Sequence, residues 1–299
     1  MRTSVFTSLA LGAALLLAVP FVQAETAAAP PPMVVVREDN LWMLDGNGEN
    51  PQRLTTSGDC SSPTCSPEGS RIAYVRGTDY RQRSLWVLDV AKGTATQLVG
   101  AVSGYSYPRW SPDGKSVAYF WIDDINRSTV DYDYFQLVRF DVASQAVKIL
   151  AKDLIGPLGL AWAPDSSALA YSTGYAGKSR LALISATDGE VAVPELASLD
   201  RDQEQAEISG VNWLPTGEIV YVTDLPAAED TRQIKVYQAN LEGEVKTLYE
   251  NHAATTDWQW SLGADSRGRL LLCWQSSLWL VQEGKAIRLA ENATEVGCR

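Results

Sequence analysis

The sequence predicts an all-β fold: a six-bladed β-propeller of four-stranded antiparallel blades, closed by its C-terminal segment. Three observations predict it. A Trp-Ser-Pro-Asp-Gly turn recurs along the chain, a Leu-Trp-Val-Leu-Asp strand recurs, and the two alternate with a shared period. A period in the forties with four strands per unit is the signature of a propeller.

The turn is clearest at Trp110-Ser111-Pro112-Asp113-Gly114, with relatives beginning at Cys65 (CSPEGSRIAY), Trp162 (WAPDSSALAY) and Trp213 (WLPTGEIVY). The stretch WSLGADSRGRLLLCW from Trp260 reads as a decayed fifth copy with a longer turn. In the clearest copy Pro112 presets φ at the second turn position and Gly114 takes the left-handed fourth, which predicts a type I turn with a Gly bulge. The following strand SVAYFW puts Val117, Tyr119 and Trp121 on one face and Ala118 and Phe120 on the other. Both faces are apolar, so both must be covered, and a strand between two blades meets that need.

The second motif occurs as LWMLD at Leu41, LWVLD at Leu85, LVRFD at Leu137, LALIS at Leu181, IKVYQ at Ile234 and LWLVQ at Leu278. Each copy precedes a polar turn and a short strand. One unit is therefore four strands: a ends at the Trp, b follows the turn, c is the Leu-Trp type, and d completes the blade. The first unit begins at MVVVRE (33–38), a strand b with nothing before it to serve as strand a. The tail ENATEVGCR (291–299) follows the last strand d and is placed to supply the missing strand.

Outside the propeller (33–299), residues 1–24 read as a secretory signal peptide: a basic start at Arg2, an apolar run, and small residues before Ala24. Residues 25–32 read as a loose linker. The expected location is periplasmic or secreted, with no membrane span once the leader is removed. A net charge of −11 argues against nucleic acid as a partner, because binding it needs a basic field. Export lets Cys60, Cys65, Cys273 and Cys298 oxidise. Four cysteines allow three connectivities. Cys60 and Cys65 would close the shortest loop, and a Cys273–Cys298 bond would cross the ring closure.

Tandem Trp-Ser-Pro-Asp-Gly turns with LWVLD strands resemble the TolB-type propeller family over about residues 33–299. The resemblance implies a periplasmic scaffold of the bacterial cell envelope whose propeller binds peptide segments of partner proteins. Similar repeats occur in propellers of prolyl oligopeptidases and of some secreted lyases, so the resemblance speaks for fold more than activity. TolB-type proteins carry an α/β domain before the propeller. Only the short linker separates leader from first strand here, so the expectation is a propeller without that domain.

Function is expected where long loops meet on one face. That face gathers Tyr80, Arg81 and Arg83, Tyr105 and Tyr107, Trp121, Asp123, Asp124, Asp131, Tyr132, Asp133 and Trp258. Asp123, Asp124, Asp131 and Asp133 are a weak calcium candidate, since hard cations take clustered carboxylates, but the spacing matches no calcium loop. Otherwise no cofactor is expected. His252 is the one histidine, which excludes a multi-histidine metal site. No nucleophile elbow is present. The expectation is a monomeric, non-enzymatic scaffold that binds a protein or peptide partner. The alternative is a carbohydrate-active lyase or hydrolase using carboxylate and Tyr residues at the channel mouth.

Overall fold

A computed structural model describes residues 29–79, 82–102, 107–122, 134–174, 179–198, 207–226, 232–251 and 260–298. The described residues form six four-stranded antiparallel sheets and no helix. Blade 1 begins with β1 (Met33–Arg37), β2 (Asn40–Leu44) and β3 (Gln52–Arg53). Blade 2 comprises β4 (Cys60–Cys65), β5 (Arg71–Arg76), β6 (Arg83–Asp89) and β7 (Thr94–Val102). Blade 3 comprises β8 (Arg109–Trp110), β9 (Ser116–Ile122), β10 (Tyr134–Asp141) and β11 (Val147–Ile155). Blade 4 comprises β12 (Leu160–Trp162), β13 (Ala168–Thr173), β14 (Arg180–Ser185) and β15 (Val191–Ser198). Blade 5 comprises β16 (Glu207–Trp213), β17 (Ile219–Pro226), β18 (Arg232–Ala239) and β19 (Val245–Asn251). Blade 6 comprises β20 (Trp260–Ala264), β21 (Leu270–Trp274), β22 (Ser277–Gln282) and β23 (Lys285–Glu291). The last strand, β24 (Glu295–Cys298), returns to pair with β1 as the inner strand of blade 1. The inner strands then touch in sequence around the ring, from β24 through β4, β8, β12, β16 and β20 back to β24.

Strand alternation explains the packing. Val117, Tyr119 and Trp121 of β9 join the apolar cluster between blades 2 and 3, while Ala118, Phe120 and Ile122 join the one between blades 3 and 4. Burial pushes the Tyr119 phenol up to about 12, so it stays neutral. The first strand behaves the same way. Val34 and Val36 of β1 face blade 2, and Met33 and Val35 face blade 6. Six such clusters among the described residues fill the six seams of the ring.

The turns follow the expected chemistry. Gly114 N–H donates to the Ser111 carbonyl at 2.9 Å with φ of 69°. In blade 4 Ser166 occupies the glycine position at φ of 65°, a left-handed conformation that costs an L-residue roughly 1–2 kcal/mol. Its hydroxyl accepts the Asp113 N–H of blade 3 at 3.1 Å, tying neighbouring turns together. Further bonds cross other seams: Trp162 Nε1 donates to the Arg109 carbonyl at 2.9 Å, and Asn212 Nδ2 to the Leu262 carbonyl at 2.9 Å.

Two expectations are corrected. The turn after Trp260 is not longer. Trp260 pairs with Trp274 at the start of β20, and Ala264 takes the place that Trp110 holds in blade 3. The turn is then Asp265–Gly268, with Asp265 accepting the N–H groups of Arg267 and Arg269, each at 2.9 Å, where blades 2 and 3 use Ser-Pro. Cys60 and Cys65 do not close a small loop. They lie at opposite ends of β4, opposite Arg76 and Ile72. Four residues of strand span about 13 Å, well beyond the ~7 Å that a disulfide bridges. No disulfide joins Cys60, Cys65 or Cys273, all of them buried. With Cys273 a free thiol, the expected Cys273–Cys298 bond across the closure is not formed either. The side chain of Cys298 lies outside the described residues, as does the signal peptide (1–24). Among the described residues no helix is long and apolar enough to cross a membrane.

The tail closes the ring as the repeat count requires. Val296 N–H donates to Ser261 Oγ of blade 6 at 2.9 Å, and Thr294 N–H to the Val36 carbonyl at 3.0 Å. On the other side Gly297 lies so near β4 that a Cβ there would overlap the Pro63 carbonyl. The start of the described chain is also held: Pro30 packs on Gly46, and Arg267 Nη2 donates to the Ala29 carbonyl at 2.6 Å. Overpacking a tight contact costs about 1–3 kcal/mol, so Gly297→Val is expected to lower the melting temperature by several degrees. Deletion of residues 291–299 is expected to lower it further. Unchanged thermal melts for both variants would refute closure by β24.

Candidate functional site

Each inner strand runs from the side of the b–c and blade-to-blade connections to the side of the tight a–b turns. The first side is the loop face. Its rim is uneven. Blades 1 and 6 cross it with two-residue turns, Glu38–Asp39 at φ of 49° and 53° and Gln275–Ser276 at 49° and 52°. Paired left-handed residues of this kind make the type I′ turn that suits a twisted hairpin. Blades 2 to 5 instead carry longer b–c connections, 77–82, 123–133, 174–179 and 227–231. The b–c connections are thus short in sequence beside the ring closure and longer in the other four blades.

At the mouth, Glu295 opens the closing strand β24. Its Oε2 accepts the backbone N–H of Ser62. Ser62 sits at φ of 51° in a bulge where the β4–β5 register slips between Ser61 and Thr64. Such a bulge re-aims a backbone group that would otherwise serve the ladder. Glu295 is partly buried at the start of the closing strand. That enclosure raises its pKa above the usual carboxylate value. The Ser62 N–H and the charges of Arg83 and Arg109 oppose the rise, and Asp39 adds to it.

Arg109 begins β8, and its Nη1 donates to the Pro108 carbonyl at 3.0 Å. On blade 2, Arg76 Nε meets both oxygens of Asp59 at 3.1 and 3.2 Å, and its guanidinium lies 4.8 Å from the Trp86 ring centre. Partial burial pushes the Asp59 carboxyl up, but hydrogen bonds from Arg76 and Ser57 and the Arg76 charge outweigh it, so its pKa ends below the ordinary value. The inner strands also hold Ser61 Oγ of β4 and Ser209 Oγ of β16, buried hydroxyls with no partner among the described residues. Charges of both signs on one face can pair with the amides, carbonyls and charged ends of an extended segment.

Of the predicted site residues, Arg83 begins β6, within electrostatic reach of Glu295. Tyr107 precedes β8 with φ of 37° and packs against the cluster between blades 3 and 4. Trp121 packs partly buried against the cluster between blades 2 and 3. Tyr80, Arg81, Tyr105, Asp123, Asp124, Asp131, Tyr132, Asp133 and Trp258 lie outside the described residues, and so does the calcium candidate. Among the described residues no three His, Cys, Asp or Glu side chains are placed to hold a metal. Sequence reasoning missed Glu295, Arg109 and the Asp59–Arg76 pair. Glu295 had a signal: the closure argument already put the tail on the channel.

No protein-family model matches the chain. The uncharacterized peptidase YuxL of Bacillus subtilis (strain 168) is 23% identical over 163 residues, covering 52% of this chain and 22% of that protein. Among solved structures, TolB from Acinetobacter baumannii aligns with a TM-score of 0.65 at 18% identity, covering 89% of this chain and 64% of the other. A putative TolB from Agrobacterium tumefaciens gives 0.60 at 19%, covering 76% and 79%. An oligogalacturonate lyase in complex with manganese gives 0.56 at 18%, covering 84% and 70%. The chain thus spans less than two thirds of both YuxL and the Acinetobacter protein.

The Asp59–Arg76 pair yields a pH prediction. A carboxyl held below its ordinary value of 3.8 stabilises the fold fully above that pH, and the contribution is lost as pH falls through the folded value. Asp59→Asn is expected to cost on the order of 0.5–1 kcal/mol at pH 7, the scale of a solvent-screened pair. In denaturant titrations the difference from wild type should shrink below pH 3.8. A constant difference would mean that the charge plays no part.

Proposed function

We propose that this chain, a TolB-type six-bladed β-propeller, is a non-enzymatic periplasmic or secreted scaffold that binds a protein segment at its loop face. The observation that carries the reading is the uneven face: the longer b–c connections all belong to four contiguous blades, and on the same face Arg83 and Arg109 lie within electrostatic reach of Glu295. Rigid scaffolds that display loops bind partners without reorganising, so little binding energy is lost to ordering. The TolB likenesses support the same reading, as does the mixture of donors and acceptors at the mouth.

A second reading has its own support. The oligogalacturonate lyase and the YuxL likenesses leave room for a carbohydrate-active or peptide-cleaving enzyme with a carboxyl at the channel mouth. Glu295 is the described carboxyl best placed for it.

The experiment that separates the two uses the purified chain. On the scaffold reading, immobilised wild type retains a protein from cell-envelope extract. Arg83→Ala combined with replacement of 123–133 by a short Gly-Ser link loses it, and pools of oligogalacturonate and peptides stay intact. Turnover of either pool that disappears on substitution of one mouth carboxylate would establish the enzyme reading instead.

A further inference from the structure

A cleft of about 450 Å³ opens between blades 6 and 1, within the size range of small-ligand sites. One wall is the end of β23, the outermost strand of blade 6, with Arg288, Glu291 and the Asn292 that follows it. The other is blade 1, with Arg37 at the end of β1 and Gly48 in the turn after β2. The cleft is a fixed part of the seam. Gly48, at φ of 85°, comes so near blade 6 that a Cβ there would lie 2.9 Å from Leu289 Cβ. Donors in this seam lack acceptors. Arg37 follows Met33 and Val35 on the face of β1 turned to blade 6, and its charge reaches Cys273 of that blade. Its Nε is buried with no hydrogen-bond partner among the described residues. Trp42, which pairs with Val35 and packs in the same seam, has a buried Nε1 in the same condition. Guanidinium and indole N–H groups can only donate, so neither can satisfy the other. Leaving such donors unmet is costly, and more so when the group is charged.

We propose that this cleft binds a small oxyanion, a carboxylate or phosphate group, held between Arg37 of blade 1 and Arg288 of blade 6. A water molecule in the cleft would accept a hydrogen bond from Arg37 but leave its charge uncompensated. An oxyanion supplies acceptor and charge together, in the planar geometry that a guanidinium fork matches. Arg37 is the anchor, because its stem is fixed in the seam. On the facing wall Arg288 Nη1 meets Glu291 Oε1 at 3.0 Å, with the two side chains 54% and 64% exposed. Water screens so open a pair, and it yields readily to a competing anion. Glu291 therefore holds the place of the ligand while the cleft is free, and Asn292 adds an uncharged amide beside it. A ligand that bridges the two walls also braces the last blade against the first. This site is separate from the loop-face charges around Glu295, which stands on an innermost strand, and it does not depend on the scaffold reading.

The test titrates the whole chain with sodium phosphate, sodium succinate and sodium chloride at matched ionic strength. In calorimetry, phosphate or succinate is expected to bind saturably and chloride is not. The tighter of the two identifies the group as phosphate or carboxylate. Arg37→Gln is expected to weaken that binding roughly tenfold or more, the loss of a charge-assisted hydrogen bond. Arg288→Gln should weaken it about two- to fivefold, as suits an exposed and screened contact. Lys92→Gln removes a cation from the c–d turn of blade 2 and should bind as wild type does. No saturable binding of either probe, or equal binding by wild type and Arg37→Gln, overturns the proposal, and the cleft then holds water only. A second measurement uses wild type alone. In amide NMR spectra the tighter probe should shift Gly48 and residues 288–292. Shifts confined to other residues overturn the site even if Arg37→Gln does not fold.

Discussion

The constraint on which the rest depends is burial on both sides of every sheet. Ala118 and Phe120 pack toward one neighbour while Val117 and Tyr119, on the same strand, pack toward the other. A sheet with two apolar faces cannot end in solvent, so the sixth blade has to meet the first. Closure is therefore a condition for any blade to be stable, and the last strand carries a larger share of the fold than its length implies. Gly297 shows how tightly it is fitted: the backbone of β24 comes as near to Pro63 as a residue without a side chain allows.

Much of this was legible in the sequence, because repetition turns weak signals into strong ones. A lone Pro-Asp-Gly could mark any turn. Several copies with apolar residues on both faces of the next strand fix blade, order and period. The counting argument that placed 291–299 beside β1 needed only the mismatch between c–d pairs and a–b turns, and the ladder from Met33 to Cys298 bears it out. Local divergence was harder. Trp260 looked like the Trp of the motif, yet Ala264 fills that place, because an Asp that caps two backbone N–H groups substitutes for Ser-Pro. Cysteine spacing misled for a related reason. A six-residue strand holds its ends far apart, whereas a loop of that length would bring them together.

The mouth was less legible than the ring. Arg83 drew notice in the sequence because it stands beside Tyr80 and Arg81, and it begins β6. Arg109 and Glu295 sit at strand ends, where sequence shows only one more charged residue beside a repeat. Their importance comes from what the ring brings together: Glu295 meets Ser62 across a gap of more than two hundred residues. Trp121, the aromatic beside the acidic loop, packs partly buried against the seam between blades 2 and 3. Periodicity reports which face of a strand is covered, and it is silent on which strand ends converge.

The path of the chain at its two ends has a practical consequence. Ala29 is held by Arg267, on the a–b turn of blade 6, and Cys298 pairs with Met33 at that same end of blade 1. Both points lie on the side of the ring away from the mouth. A surface or a bead coupled to the protein near Ala29 or Cys298 would leave the loop face turned outward. The geometry of attachment and the geometry of recognition are thereby separated along the ring axis, and a tether at one need not obstruct the other.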